Sequence, residues 1–272
     1  MTGQQNSGNL SFREELKQSL IESRETILNG GVNCIPLPFT RFREDFPGIR
    51  KKFYYLVSGA TKSSKTQITN FLFIITPIFY YMKHPEQIKP KIFYFPLEET
   101  KEDITLRFYS YVLYYITKGK VIISPEDLES VDERKPLPEE VLKLMDSEEF
   151  IRITDIFEEC VEFHESQKNP TGIYKTVKSY LDSNGTMEYV NKEIIYTDDF
   201  GNSKKEIIRK AVKYIPNNPN EYVIYITDHA GLLQEEKGMS KKETIEKLSE
   251  YNMYLRNTYS AIPVLVQQQN SK

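Results

Sequence analysis

A segment that could bind phosphate is the most informative feature of the sequence. Residues 59–66 (GATKSSKT) follow the pattern G-x-x-x-x-G-K-[ST], except that Ser64 stands where the pattern has its second glycine. Loops of this kind direct backbone N–H groups at phosphate oxygens, at the positive end of a helix dipole. Lys65 would contact the terminal phosphates of ATP, and the hydroxyl of Thr66 would bind Mg²⁺. ATP and Mg²⁺ are therefore the expected cofactors.

The context of this segment favours phosphate binding over an ordinary loop rich in serine and lysine. A strand buried on both faces is predicted at 53–57 and a helix at 65–82, which is the order that the motif requires. The expected nucleotide-binding residues are Gly59, Ala60, Thr61, Lys62, Ser63, Ser64, Lys65 and Thr66. Ser64 should be tolerated if its backbone is near-helical, although its Cβ would come close to the phosphates.

Carboxylates follow two of the predicted strands. Asp228 ends the apolar run at 222–227 (YVIYIT), and Glu98 and Glu99 follow the run at 91–97 (KIFYFPL). An acid at the carboxyl end of a parallel strand faces the crevice in which open α/β sheets bind ligands. Asp228 could hold the water shell of Mg²⁺, and a glutamate, for which we favour Glu98, could activate the attacking water. The alternatives are an aspartate that caps the next turn and glutamates that only begin the next helix.

Amide side chains close the last predicted strand, at 263–267. They are Gln267, Gln268, Gln269 and Asn270. A neutral amide at this position could sense the γ-phosphate through a hydrogen bond, or it could merely end the strand. His229 follows Asp228 directly and is expected to pack rather than to act in catalysis.

The composition limits the class of protein. The chain has 272 residues, 39% of them hydrophobic, which is enough for one sizeable core. Its 36 Lys and Arg residues against 39 Asp and Glu residues disfavour a nucleic-acid coat protein, but not a motor that grips a strand with a few loops. Cys34 and Cys160 are too few for a disulfide framework and predict a reducing, cytoplasmic setting. The polar N-terminus lacks a secretory signal, and the apolar run at 71–82 is too short for a bilayer.

Alternating strands and helices predict an α/β fold with a mainly parallel central sheet flanked by helices. Residues 1–34 are assigned to a disordered tail and a helical arm that begins at a capping box on Ser11. We favour packing of this arm on the chain's own core over docking on a neighbouring subunit. Residues 35–272 form the predicted core, with insertions at about 117–150 and 186–206, the second being a polar hairpin or excursion. Further predicted elements are a helix ending near 116, a strand at 161–166, and helices at 170–181 and 240–260.

The ordered set of motifs resembles a known family. The strand, GATKSSKT loop and helix precede FPLEET, with Arg107 nine residues beyond Glu98, and then YITDHAGLL and VLVQQQN. Over roughly 35–270 this is similar to the RecA-like ATPase core of DnaB-type replicative helicases and related phage ATPases. The resemblance implies a RecA-like P-loop fold, a catalytic glutamate at Glu98, a metal-directing aspartate at Asp228 and a phosphate-sensing glutamine at Gln268. The family's arginine finger and DNA-binding loops are assigned to no residue of this sequence.

The leading hypothesis is a Mg·ATP-dependent RecA-like ATPase that acts on DNA as a motor of replicative-helicase type. Its expected catalytic residues are Lys65, Glu98, Asp228 and Gln268, and its expected metal ligands are Thr66 and Asp228. The expected partners are single-stranded DNA and further copies of the chain that share active sites, with no membrane. The alternative is a nucleotide-binding structural or assembly module with little hydrolysis of its own. A small-molecule kinase is a third hypothesis, disfavoured because no Arg-rich lid segment is evident.

Overall fold

The computed structural model describes residues 11–197 and 203–269 of the chain. The strands are β1 (Ile35–Pro36), β2 (Gly48–Ile49), β3 (Tyr55–Gly59), β4 (Lys89–Pro96), β5 (Val161–Phe163), β6 (Gly185–Thr197), β7 (Ser203–Pro216), β8 (Glu221–Asp228) and β9 (Ile262–Gln268). Five of them form an all-parallel central sheet in the order β3-β9-β8-β4-β5. The predicted α/β fold with a parallel central sheet is confirmed. The tail predicted at 1–9 lies outside the described residues.

Helices cover both faces of the sheet. They are α1 (Phe12–Leu28), α2 (Thr40–Asp45), α3 (Lys65–Asn70), α4 (Thr76–Lys83), α5 (Lys101–Ile116), α6 (Pro125–Leu128), α7 (Glu139–Met145), α8 (Glu148–Cys160), α9 (Pro170–Ser183) and α10 (Lys241–Tyr259), with a π-helical turn at Phe71–Ile75 and a 3-10 turn at Ala230–Leu232. None of the helices in the described ranges is both long and apolar enough to cross a membrane.

The central strand β4 shows why the sheet needs helices on both sides. Ile92 and Tyr94 pack on one face, and Phe93 and Phe95 pack on the other, all at most 1% exposed. Since successive side chains of a strand point to opposite faces, a strand covered on both faces has an unbroken apolar sequence. The buried strand predicted at 91–97 is confirmed on this basis.

Strand β3 is buried less than its sequence predicted. It pairs with β9 on one side, and no other described strand pairs with it, so it forms an edge of the sheet. Tyr55 is buried, but Leu56 is 58% exposed. The prediction of a strand buried on both faces is therefore wrong. An apolar run alone does not distinguish a central strand from an edge strand, because the difference lies in what covers it.

The helical arm α1 begins where the sequence predicted but does not pack on the core. Ser11 and Glu14 form the predicted capping box, with the Glu14 amide donating to the Ser11 hydroxyl and Glu14 Oε2 accepting the Ser11 amide. Every α1 side chain that is described is exposed, including the apolar stripe of Phe12, Leu16 and Leu20. The favoured prediction, packing on the chain's own core, is therefore wrong.

The helix after the phosphate loop contains a π-helical turn. Helices α3 and α4 form one continuous rod joined by Phe71–Ile75. The Thr76 hydroxyl donates to the Phe71 carbonyl oxygen at 2.8 Å. Pro77, which has no N–H, lies in the first turn of α4, where an N–H would have no partner within α4. The predicted helix at 65–82 is confirmed, with this local widening.

Strands β6 and β7 form a two-stranded ribbon, which we call the hairpin. It is longer than the polar excursion predicted at 186–206, because β6 runs over Gly185–Thr197 and β7 over Ser203–Pro216. At its base, Met187 and Tyr214 pack against the buried residues of helices α9 and α10. The turn at 198–202 lies outside the described residues.

Candidate nucleotide site

The carboxyl ends of the parallel strands assemble the predicted site residues at one edge of the sheet. In the register of β3 and β9, Gly59 lies opposite Gln268, and in that of β4 and β8, Pro96 lies opposite Asp228. Glu98 and Glu99 follow two and three residues after Pro96. Parallel strands in register therefore bring together residues that are far apart in the chain. We call this region the nucleotide edge.

The phosphate loop, residues 59–66, joins β3 directly to α3. A Cβ added to Gly59 would lie 2.7 Å from Ser63 Oγ, so a larger residue at this position would have to displace the Ser63 side chain within the loop. Lys65 is the first residue of α3. The loop therefore presents its backbone to the N-terminal end of a helix, which is the arrangement that binds phosphate.

Ser64 adopts a left-handed backbone conformation, with φ 57° and ψ 30°. The condition under which we expected this serine to be tolerated, a near-helical backbone, is therefore not met, because this conformation is the mirror image of the right-handed helix. For a residue with a Cβ, this conformation costs roughly 1–2 kcal/mol, which a glycine would avoid. Lys62 is also left-handed, with φ 61°. Left-handed residues among right-handed ones turn successive N–H groups into one concavity, which suits an anion.

Two side chains close over this loop. The Lys65 ammonium donates to the Ala60 carbonyl oxygen at 2.7 Å. The amide nitrogen of Gln268 donates to the hydroxyl of Thr61. Both contacts are made to residues of the loop that would surround phosphate. A bound nucleotide would therefore compete with these two hydrogen bonds.

Asp228 is almost completely buried, at 4% exposed. Its Oδ2 accepts a hydrogen bond from the Tyr94 hydroxyl at 3.1 Å, whereas its Oδ1 has no hydrogen-bond partner among the described residues. Burial raises the pKa of this carboxyl, and the proximity of Thr66 and Tyr94 only partly offsets the increase. The Thr66 hydroxyl is thus close to Asp228 but does not satisfy Oδ1 with good geometry.

The two glutamates after β4 have different partners. Glu99 forms an ion pair with Arg107 of α5. Glu98 Oε2 instead lies 3.4 Å from His229 Nε2. His229 Nδ1 accepts the Gly231 amide, so in the neutral ring the proton is on Nε2, toward Glu98. His229 thus has polar contacts with both Glu98 and Gly231, and its expected role in packing rather than in catalysis stays a prediction.

A cavity of about 370 Å³ lies between the phosphate loop and the residues that follow β4. Its lining residues are Thr61, Lys62, Ser63, Ser64, Lys65, Thr66, Gln67, Glu98, Glu99, Arg107 and Gln268. Most of the predicted site residues line this space; Asp228 does not line it, but it lies close to Thr66, which does. Gln269 instead donates to Ser58 Oγ at 3.2 Å, and Asn270 lies outside the described residues.

Tyr94 lies at this site but is not one of the predicted site residues. A tyrosine in an apolar strand is usually buried for its ring, so the sequence alone indicates only a core residue of β4. The available signal was alternation: Tyr94 and Pro96 share one face of β4, and Pro96 ends beside Asp228. Without the pairing of β4 with β8, that spacing points to no partner.

The fold is similar to that of a known helicase. No family model matches the chain, and no curated protein matches it. The chain resembles a solved structure described as "The Structure Of A DnaB-Like Replicative Helicase And Its Interactions With Primase", with a TM-score of 0.58 and 12% sequence identity. The match covers 96% of this chain and 49% of that one, so this chain spans about half of that protein's length. At this identity the likeness shows the fold alone, which is a RecA-like, helicase-type fold.

Proposed function

We propose that this RecA-like chain binds ATP with Mg²⁺ at residues 59–66 and hydrolyses it. The observation that carries the proposal is the shared cavity, in which the phosphate loop meets Glu98, Arg107 and Gln268. A loop at a helix N-terminus, a lysine and an acid together form a site for phosphoryl transfer to water. An ordinary surface loop gives no reason for these groups to converge.

Several residues would each have a separate role in ATP binding and hydrolysis. Loop amides and the Lys65 ammonium would bind the β- and γ-phosphates once Lys65 leaves the Ala60 carbonyl. Glu98 would accept a proton as the oxygen of water bonds to the γ-phosphorus and the bond to the bridging oxygen of ADP breaks. The Gln268 amide would donate its hydrogen bond to the γ-phosphate instead of to Thr61. It would thereby sense the loss of the γ-phosphate on hydrolysis.

A Mg²⁺ ion fits the residues at the nucleotide edge. Oδ1 of Asp228 is a buried carboxylate oxygen with no hydrogen-bond partner among the residues that the structure describes, and the Thr66 hydroxyl is close to that carboxyl. Hard oxygen donors of this kind, one anionic and one hydroxyl, suit Mg²⁺ that retains most of its water. When bound, the ion would neutralise charge on the phosphate oxygens.

We further propose that the ATPase acts on single-stranded DNA as a helicase-type motor and works in an oligomer with shared sites. Two features support an oligomer: the uncovered apolar stripe of α1, and the pairing of Arg107, which already neutralises Glu99. A guanidinium from another subunit would then complete the charge stabilisation of the γ-phosphate. The same pairing of Arg107 favours the second candidate, a nucleotide-binding module with little turnover of its own.

The test is ATP hydrolysis by the purified chain and by Lys65→Ala, over a range of protein concentrations and with or without single-stranded DNA. We expect Lys65→Ala to lower turnover by about 100-fold or more, the loss typical of a group that stabilises transition-state charge. Wild-type turnover should rise steeply with protein concentration and with DNA. Hydrolysis that is unchanged in Lys65→Ala refutes the ATPase. Binding without turnover under every condition selects the non-hydrolysing module.

A further inference from the structure

Tyr94 places a hydroxyl in the buried core, beside the carboxyl of Asp228. The residue is 1% exposed, and its neighbours on the same face of the sheet include Ile92 and Ile226. A buried hydroxyl without a partner is costly, and an apolar ring would avoid that cost. Among the described residues this hydroxyl has one hydrogen-bond partner, Oδ2 of Asp228, to which it donates at 3.1 Å.

Strand register explains how Tyr94 reaches this partner. Tyr94 lies two residues before Pro96 on the same face of β4, and Pro96 is paired with Asp228 on β8. The ring therefore extends along the sheet toward the nucleotide edge, over a diagonal that long aromatic side chains can span. The contact joins two residues that are 134 positions apart in the sequence.

The contact determines which oxygen of Asp228 stays available. Oδ2 is occupied by Tyr94, while Oδ1 has no hydrogen-bond partner among the described residues, and Thr66 of the phosphate loop is close to the carboxyl. A carboxylate held at one oxygen cannot rotate without breaking that bond.

We propose that Tyr94 is a positioning residue of the nucleotide site, which holds the Asp228 carboxylate so that Oδ1 faces the Mg²⁺ position. This inference rests on the proposed ATP and Mg²⁺ binding, and it adds a residue and a role to it. Groups that orient a metal-binding side chain contribute to metal affinity without touching the metal. Tyr94 acts in this way through one hydrogen bond.

A matched control distinguishes positioning from a merely structural role. Tyr225 of β8 is also 1% exposed, and its hydroxyl donates to Asn252 Oδ1 at 3.0 Å. Tyr225 packs on the opposite face of the sheet from Tyr94. Tyr94→Phe and Tyr225→Phe therefore each delete one buried tyrosine hydroxyl and one hydrogen bond, but only the first touches Asp228.

The experiment measures equilibrium binding of a fluorescent, non-hydrolysable ATP analogue to the full chain as Mg²⁺ is increased. We expect Tyr94→Phe to raise the Mg²⁺ concentration for half-maximal binding by about tenfold, the lower end of the range for residues that orient metal ligands. Binding in EDTA should not change. Tyr225→Phe should lower the melting temperature to a similar extent and leave the Mg²⁺ response as in the wild type.

Asp228→Asn and the double variant with Tyr94→Phe show whether the effect passes through Asp228. The double variant should have the same Mg²⁺ response as Asp228→Asn alone, because no carboxylate remains to be oriented. The inference is overturned if Tyr94→Phe needs the same Mg²⁺ concentration for half-maximal binding as the wild type, or if Tyr225→Phe shifts that concentration as much as Tyr94→Phe does. In either case Asp228→Asn still tests the metal site. A wild-type chain without Mg²⁺-dependent binding overturns the proposed function, and this inference with it.

Discussion

The nucleotide edge and the hairpin are held in place in opposite ways. At the nucleotide edge, Asp228 and Tyr94 are buried in a parallel sheet with helices on both faces. The hairpin is two strands wide, and Ile207 and Val190, halfway along it, are 71% and 47% exposed. Its side-chain contacts along the ribbon are surface contacts, such as the Arg209 guanidinium 4.1 Å from the Tyr189 ring centre.

This contrast shows that the structure of the hairpin depends mainly on local sequence pattern, whereas that of the nucleotide edge depends on tertiary packing. A two-stranded ribbon needs only cross-strand pairs and a turn, but such a ribbon is marginally stable by itself. The nucleotide edge depends on four strands whose ends coincide, so a change in its core alters several side chains at once. We therefore expect stability to reside at the nucleotide edge and the hairpin to tolerate change.

The largest expected effect comes from a matched pair of isoleucines. Ile226 of β8 is fully buried, and Ile207 of β7 is exposed. Ile226→Ala should lower the free energy of unfolding by about 2–5 kcal/mol, because it leaves a cavity under the site. Ile207→Ala should change it by less than about 0.5 kcal/mol. Chemical denaturation of both variants checks this, and equal losses would show that the two regions are equally supported.

The phosphate loop is the strained part of the nucleotide edge, and Ser64→Gly relieves the strain. Glycine adopts the left-handed conformation of Ser64 without a Cβ penalty, so the variant should be more stable by about 1 kcal/mol and should bind nucleotide more tightly. Thermal unfolding and a nucleotide titration give the two values. Gly59→Ala is the opposite control, since its Cβ would lie 2.7 Å from Ser63 Oγ. If Ser64→Gly weakens nucleotide binding, the serine contributes a contact that outweighs its strain.

Asp228 should make stability depend on pH. Burial raises the pKa of its carboxyl in the folded chain, so the folded state binds this proton more tightly than the unfolded state does. Its contribution to stability is present at low pH and is lost as the pH rises through the unfolded pKa toward the folded one. Asp228→Asn should therefore be more stable than the wild type near neutral pH, by on the order of 1 kcal/mol, and the difference should shrink on acidification.

Denaturation of the two chains at several pH values tests this expectation. Glu193→Gln on the hairpin is the control, because its ion pair with Lys205 is exposed and should matter by less than about 0.5 kcal/mol. A stability difference between Asp228→Asn and the wild type that stays constant with pH would mean that the carboxyl is not the source.

The smallest expected effect is that of shortening the hairpin. Replacing residues 189–212 with a two-residue Asn-Gly turn keeps Met187 and Tyr214, whose packing and hydrogen bond to the Leu181 carbonyl hold the base. We expect the melting temperature to change by no more than about 4 °C, which corresponds to less than about 1 kcal/mol. Nucleotide affinity should stay the same. A chain that unfolds after this deletion would show that the ribbon supports the core.

Much of the site was predictable because its residues obey local rules. The phosphate loop has a motif, and Glu98, Asp228 and Gln268 end apolar runs whose length and composition indicate strands. What these residues do remains a proposal, but their convergence at one edge follows from a parallel sheet. The packing of α1 was not predictable, because an amphipathic stripe shows that a helix has an apolar face and does not show what covers it.

The sequence by itself determined the order of the five sheet strands along the chain, the loop between β3 and α3, and the acids and amides at strand ends. Periodicity and turn chemistry act over a few residues, so they are visible in one dimension. Only the tertiary structure decided that β3 lies at an edge, that Ser64 is left-handed, and that Tyr94 bonds to Asp228. Each of these depends on which distant segments pack together, and strand register, on which the Tyr94 contact depends, is a property of two strands rather than of either one.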